Sequence, residues 1–370
     1  MATGQKGALM GRWQMLNRRK GAGPDGGAGL VLGPGPDGAC DDYRLGGAMV
    51  DHDPDSGQWR MWYYARDRAQ ADSGALPPTL GTGRIAMATS ADGRRWRREA
   101  GPAQAGAVLA PSPDPARFDS LHLGISDITR LPHGWLMWYF GGDTTVVEAG
   151  RLGAVAGLRM LPGLARSRDG VHWHRCAGAE AGGSILPIAT GGLYAAWPNA
   201  FHDGTRWICQ VTEASPDLRR FATMVWTSPD ACAWEPLGQL AFADAGGDHD
   251  AGGMVTRQVL SNPIPHGRRF LMIYTAIDAA GGRSIAAADS DDGLIWHRLY
   301  GEPVFHPGPD GAWDSLGVAA TRLVVADGRL HFYYYGFQSL GADQGRRGIG
   351  LALAPLGDLR RLTRWKGGDD

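Results

Sequence analysis

Ser90-Ala91-Asp92-Gly93-Arg94-Arg95-Trp96 is one of four near-copies of a single phrase. The others are Ser167-Arg168-Asp169-Gly170-Val171-His172-Trp173, Ser228-Pro229-Asp230-Ala231-Cys232-Ala233-Trp234 and Ser290-Asp291-Asp292-Gly293-Leu294-Ile295-Trp296. Each follows a short run of small and apolar residues, such as Gly83-Arg84-Ile85-Ala86-Met87-Ala88-Thr89. The phrase reads as a hairpin turn. An Asp side chain can bond the turn backbone, and Gly supplies the left-handed dihedrals. The Trp begins the next strand and packs away from the turn.

Outward from the turns, four strand-like runs recur in order. The first unit has Tyr43–Val50, then Gln58–Tyr64, then Arg84–Thr89, then the run from Trp96. In the second unit, Trp135-Leu136-Met137-Trp138-Tyr139-Phe140 matches Trp59-Arg60-Met61-Trp62-Tyr63-Tyr64. A longer insertion, 143–162, precedes its turn; a lid or a plain loop fits it equally. The third, fourth and fifth units begin at Tyr194, Met254 and Val318, and the fifth ends in a degenerate turn at Gly357 with Arg360 in the Trp position. Four strands per unit at a period of roughly 60–80 residues describe propeller blades. The expectation is an all-β, five-bladed β-propeller with four antiparallel strands per blade. It forms one domain over 41–370, after a Gly- and Pro-rich arm, 1–40, that shows no strand pattern.

Composition narrows the function classes. The 370 residues carry a formal charge of −1, which gives no global field for nucleic acid or membrane. No apolar run approaches the roughly 18 residues of a membrane span. The first 20 residues are basic but lack a secretory core, and a frayed terminus is the simpler reading. Cys40, Cys176, Cys209 and Cys232 have no metal-ligand spacing, so reduced structural thiols in a cytoplasmic protein are expected.

In a propeller, the first strand of each blade lines the channel, and its start faces the mouth. Those starts hold Asp41 and Asp42, Asp119 with His122, Trp197 with Asn199, Asp248-His249-Asp250, and Trp313 with Asp314; Asp127 lies inside the second inner run. A ring of carboxylates suits glycoside chemistry, in which one acid protonates the leaving oxygen and a second activates water or attacks the sugar. Aromatic faces at Trp197 and Trp313 suit sugar rings. Each has a plainer alternative: turn capping for Asp42, an inter-blade bond for the recurring Asp119 and Asp314, core packing for His122 and the tryptophans, and a solvated loop for Asp248–Asp250. The turn aspartates 92, 169, 230 and 292 are structural.

Units of this order, with turns of the form Ser-x-Asp-Gly-x-x-Trp and strands like Trp135–Phe140, resemble the five-bladed propeller glycosidases of glycoside hydrolase families 43, 32 and 68. The resemblance covers roughly 40–355. It implies a carbohydrate ligand and glycoside hydrolysis. It assigns the first acid to Asp42, with Asp41 its rival, and the second to Asp127, or to Asp119 nearer the mouth. The third inner run, Tyr194–Asn199, has no acid, which leaves Glu213 as the general acid. Asp41, Asp119, His122, Trp197, Asn199, Asp250, Trp313 and Asp314 are the expected substrate contacts. No cofactor or metal site is implied, and calcium is the one ion left open. The rival class is a non-catalytic propeller that binds a glycan or a protein on the same face. A phosphorylase would instead need a basic pocket, for which Arg66, Arg257 and Arg322 are the candidates.

Overall fold

The computed structural model describes residues 27–68, 79–81, 83–338 and 347–367. The chain is all-β, built of antiparallel four-strand meanders. After β1 (Leu30–Leu32), the first meander is β2 (Arg44–His52), β3 (Trp59–Arg66), β4 (Gly83–Ser90) and β5 (Arg97–Glu99). The second is β6 (His122–Leu131), β7 (Gly134–Gly142), β10 (Met160–Ser167) and β11 (His174–Arg175), interrupted by the hairpin β8 (Val146–Glu148) and β9 (Ala154–Ala156). The third is β12 (Ala195–His202), β13 (Trp207–Ala214), β14 (Phe221–Ser228) and β15 (Glu235–Gln239). After β16 (Ala241–Phe242), the fourth is β17 (Gly253–Ser261), β18 (Phe270–Ile277), β19 (Arg283–Ser290) and β20 (Ile295–Arg298). One parallel pairing, Phe221 with Gly253, joins the third and fourth into a single sheet. The fifth is β21 (Gly317–Ala326), β22 (Arg329–Phe337), β23 (Arg347–Pro355) and β24 (Thr363–Arg364).

The N-terminal arm departs from its sequence reading. Leu30 and Leu32 pair with Gly350 and Ile349 of β23, on the edge that β24 also uses. Gly29 bonds both Trp365 and Leu351, and the Trp313 indole donates to the Ala28 carbonyl. Three residues between glycines and prolines carry too little alternation to read as a strand. The partner edge, not propensity, makes them one. The segment 1–20 lies outside the described residues.

The repeated phrase is a lock between neighbouring meanders. In the first copy the Asp92 carboxylate accepts from the amides of Arg94 and Arg95, and Ser90 Oγ accepts from Gly93. The bonding recurs in the second and fourth copies, and the Asp230 carboxylate keeps it in the third. Gly93, Gly170 and Gly293 have φ of +69°, +79° and +76°, and Ala231 takes +62° at the matching place. In three of the four copies the carbonyl of the left-handed residue accepts from a side chain of the preceding meander. Tyr333 bonds Gly93 at 2.6 Å, Trp62 bonds Gly170 at 2.7 Å and Gln210 bonds Gly293 at 3.4 Å. The turn Trp packs across the same seam, as Trp173 does edge-on against Trp62 at 6.0 Å. Trp173 and Trp296 are buried, whereas Trp96 and Trp234 are half-buried.

The core is divided among these seams. Five apolar clusters each combine residues of consecutive meanders, and one of the five joins the fifth to the first. The first strands likewise neighbour one another in a cycle, β2 to β6 to β12 to β17 to β21 and back to β2. Each of them carries a register irregularity at the same level, between Gly46 and Met49, Ile125 and Asp127, Ala196 and Asn199, Met254 and Arg257, and Ala320 and Arg322. Bulges re-aim the side chains that follow them. Here they divide each first strand into a mouth half and a deep half. No helix among the described residues is long and apolar enough to cross a membrane.

A Cβ on Gly170 would stand 2.8 Å from Trp62 Cζ2, whereas one on Gly57, also left-handed at φ +68°, would meet nothing within 4 Å. Gly170→Ala is expected to lose at least about 2 kcal/mol and Gly57→Ala about 1 kcal/mol, the dihedral cost alone. Denaturant midpoints measure both. Equal losses would mean that the seam contact contributes nothing.

Candidate functional site

A cavity of about 310 Å³ opens at the mouth half of the first strands. It lies at the low end of the roughly 300–1,000 Å³ usual for small-ligand sites. Aromatic side chains supply part of its wall: Tyr64, Phe140, Trp197 and Tyr335. Trp197 sits in the β12 bulge at φ +52°, with its ring 5.5 Å from Phe140 and 5.4 Å from Tyr194. The insertion hairpin packs beside it. Val155, Leu158 and Met160 join Phe140, Tyr194 and Trp197 in one apolar cluster, and Ala156 accepts the Leu80 amide at the rim. The insertion therefore forms part of the cavity wall.

Of the expected contacts, His122 and Trp197 line this cavity. The His122 ring Nε2 lies 2.7 Å from the Gly157 carbonyl, and burial pushes its pKa down to about 4. The imidazole is thus neutral at neutral pH, and Nε2 carries the proton that Gly157 accepts.

The expected carboxylates lie elsewhere, and none of those described is among the cavity's lining residues. Asp42 accepts from the amides of Gly38 and Arg68, as a loop cap would. Glu213 is buried in β13 and holds a loop of its own meander. It accepts from the Ala189 amide at 2.6 Å, the Thr190 amide at 2.9 Å and the Thr190 hydroxyl. Asp41, Asp119, Asp250 and Asp314 are buried in one repeated arrangement. Each accepts from a second-strand Tyr hydroxyl: Tyr63 at 3.0 Å, Tyr139 at 3.0 Å, Tyr274 at 2.9 Å and Tyr334 at 3.0 Å. Each also accepts from an outer-strand arginine Nε: Arg98 at 2.7 Å, Arg175 at 2.6 Å, Arg298 at 2.8 Å and Arg364 at 2.8 Å. These triads staple the loop before each first strand across its own sheet. Trp313 is fully buried against Tyr334, with ring centroids 5.6 Å apart. Among the described residues, no group of His, Cys, Asp or Glu could hold a metal ion.

The triad had a sequence signal. Arg98, Arg175 and Arg298 each stand two residues after the turn Trp. The third meander has Pro236 there and Val211 in place of the Tyr, and it lacks the triad.

Asp127 and Asn199 meet just below the cavity floor, one layer past the bulges. Asp127 accepts from Asn199 Nδ2 at 2.6 Å, Arg322 NH1 at 2.7 Å and the Ile128 amide at 2.8 Å. Arg322 also donates to the Val50 carbonyl, and Asn199 Oδ1 accepts the Val259 amide. Gln258 closes the circuit by bonding Leu323 through both its amide atoms, at 3.2 and 2.5 Å. Side chains of β6, β12, β17 and β21 and a β2 carbonyl thus form one hydrogen-bonded ring. Burial pushes the Asp127 pKa up to about 6, against the lowering pull of Arg322.

What lines the cavity instead is cationic. Arg44, Arg66, Arg257, Arg283 and Arg347 all contribute to its wall. Two of the three arginines that a phosphate pocket would have required are therefore here; the third, Arg322, is engaged by Asp127. Arg257 is buried and donates to the carbonyls of Gln210 and Val255 and to the Thr212 hydroxyl, and burial pushes its pKa down to about 9. No periodicity distinguished these arginines in the sequence. They stand on β2, β3, β17, β19 and β23, and only the packing of those strands gathers them.

No family model matches the chain, and no curated protein matches it. Solved structures do. An N-acetylgalactosamine deacetylase from F. plautii, in complex with blood group B trisaccharide, is 17% identical at a TM-score of 0.61, over 90% of this chain and 96% of that one. A glycosyl hydrolase from Bacteroides ovatus is 16% identical at 0.59, over 94% and 99%. A third, from work on the GH130 family of mannoside phosphorylases and its glycoside hydrolases that target β-1,2 mannosidic linkages in Candida mannan, is 16% identical at 0.57, over 92% and 100%. At these identities the likeness is one of fold. What it defines is an all-β architecture shared with these structures.

Two outcomes follow. Asp127→Leu leaves Arg322 partly buried without its carboxylate and should cost about 3–5 kcal/mol. Asp127→Leu with Arg322→Leu should cost less than Asp127→Leu alone, as urea unfolding would measure.

The second concerns acid. An unfolded imidazole titrates near 6.5 and His122 near 4, so the unfolded chain takes up the proton first. This group withdraws stability as pH falls from about 6.5 to about 4, by at most about 3 kcal/mol. Asp127 has the opposite sign. Folded near 6 against about 3.9 unfolded, it adds stability as pH falls through that window. His122→Asn should therefore flatten or reverse the acid loss of the wild type, and an unchanged slope would exclude His122 as its source.

Proposed function

We propose that the five meanders are the blades of a five-bladed β-propeller, and that the protein holds a carbohydrate in the cavity at the first-strand mouth. The observation that carries this reading is the composition of the wall. Aromatic faces at Trp197, Phe140 and Tyr64 stand beside side-chain donors in a cavity of small-ligand size. Aromatic faces match the C–H faces of sugar rings, and the donors match their hydroxyls. The neighbours' glycoside-hydrolase-like fold, and the trisaccharide in one of them, point the same way.

Glycan recognition is the function that the geometry supports best. Hydrolysis through Asp42, Asp127 and Glu213 is the second reading, favoured by the hydrolases among the structural neighbours. Its difficulty is that these carboxylates are held by backbone amides, Thr190, Asn199 and Arg322 rather than presented to the cavity. General acid–base chemistry requires a carboxyl within hydrogen-bond reach of the glycosidic oxygen.

The test is calorimetric titration and NMR of product anomers over a panel of neutral and acidic oligosaccharides. Trp197→Ala is expected to weaken binding at least tenfold while leaving the melting temperature within a few degrees. Saturable binding without turnover supports recognition. Turnover that disappears in Asp42→Asn would restore the hydrolytic reading. No binding to any saccharide would sink both.

A further inference from the structure

We propose that the cavity is an oxyanion site, and that the glycan it takes, on the reading above, is an acidic saccharide bearing a carboxylate, sulfate or phosphate group. Five arginines line the cavity, and none of its described lining residues is Asp or Glu. Arg98, Arg175, Arg298 and Arg364 each meet a buried Asp, Arg322 meets Asp127, and Arg84 meets Asp67. In the cavity, Arg66, Arg257 and Arg283 meet no such acid among the described residues.

Its arginines are also held close to one another. Arg44 donates to the Tyr43 hydroxyl at 2.9 Å and Arg347 to the Tyr335 hydroxyl at 2.8 Å. Arg257 is buried with carbonyl and hydroxyl partners. Arg66 and Arg283 make no side-chain hydrogen bond or ion pair among the described residues; Arg283 lies over the Phe337 ring at 5.7 Å. Burial weakens proton binding at Arg44, with repulsion from Arg347 and Arg66 behind it, and at Arg283 burial is joined by repulsion from Arg347. Like charges gathered in a partly desolvated cavity are unfavourable unless an anion compensates them. A planar guanidinium fork matches the paired oxygens of a carboxylate, sulfate or phosphate. The same cavity offers aromatic walls, so one ligand can use both features at once: ring faces on Trp197 and Tyr64, and the anion on the arginines.

The shared chemistry also admits free inorganic phosphate or sulfate, and the test separates the two sources. The full chain is titrated with glucuronate, glucose, inorganic phosphate and inorganic sulfate, at low and at moderate salt. Wild type is compared with Arg283→Met and Arg66→Met. Glucuronate is expected to bind at least tenfold tighter than glucose. Its affinity should fall several-fold with added salt and at least tenfold in each variant. The variants should melt no lower than wild type, because each removes a cation that lacks a protein counter-charge. This readout distinguishes a ligand-binding arginine from a structural one. Equal affinity for glucose and glucuronate, unmoved by the arginine variants, would overturn the oxyanion site and leave glycan recognition standing. Arginine-dependent binding of phosphate or sulfate, with no saccharide bound, would keep the oxyanion site and overturn the glycan reading. Lowered melting in both variants with unchanged glucuronate affinity would make the arginines structural and overturn the proposal.

Discussion

The hydrogen bond between the Asp127 carboxylate and the Arg322 guanidinium, 2.7 Å long, is the contact on which the centre of this protein depends. Asp127 belongs to the second meander and Arg322 to the fifth. Asn199 and Gln258 extend the contact to the third and fourth, and the Val50 carbonyl brings in the first. A carboxylate in an inner strand is costly unless each oxygen is engaged. Here the cost is offset by bonds that no single sheet could supply. The ring forms only when all five first strands are in place. It also sets the floor of the cavity, since the bulges that turn Asp127 and Arg322 inward leave the mouth half of each strand free to line it.

A second repeated device works within four of the five meanders. The Asp–Tyr–Arg triads join the loop before a first strand to the second strand and the outer strand of the same meander. They are enclosed, and their Tyr hydroxyls are held protonated by burial and by the adjacent carboxylates. Closure between neighbours uses other groups, namely the turn carbonyls of Gly93, Gly170 and Gly293 and the apolar seams. Carboxylates that look like a catalytic ring when counted along the chain are therefore divided between stapling and closure. The third meander, which lacks the triad, instead uses Glu213 to hold its preceding loop at Ala189 and Thr190.

The electrostatic character of the site follows from that division. Once Asp41, Asp119, Asp250 and Asp314 turn toward outer-strand arginines, they cannot offset the cations of the cavity. Arg44, Arg66, Arg257, Arg283 and Arg347 line that cavity, and no described Asp or Glu does. Chain-level neutrality conceals this separation of charge. The net charge of −1 sums 37 basic and 38 acidic residues over the whole chain and does not show where they lie.

The all-β class, the four-strand period and the structural role of the repeated turn were legible in the sequence, because they are local. Asp and Gly in a hairpin are bound by turn dihedrals, and strand alternation is set by burial a few residues away. His122 and Trp197, both singled out in the sequence, line the cavity. The strand at Leu30–Leu32 was not legible, since its partner edge lies more than 300 residues on. Nor was the destination of each carboxylate. Asp41 and Arg98 are distant in sequence, as are Asp127 and Arg322. A side chain's partner is chosen by which strands the packed sheets bring within hydrogen-bond distance. The sequence by itself determined which segments could be strands and turns. Tertiary structure alone decided that the acids are internal staples and that the cavity is lined with arginine, because charge is paired in space and not along the chain.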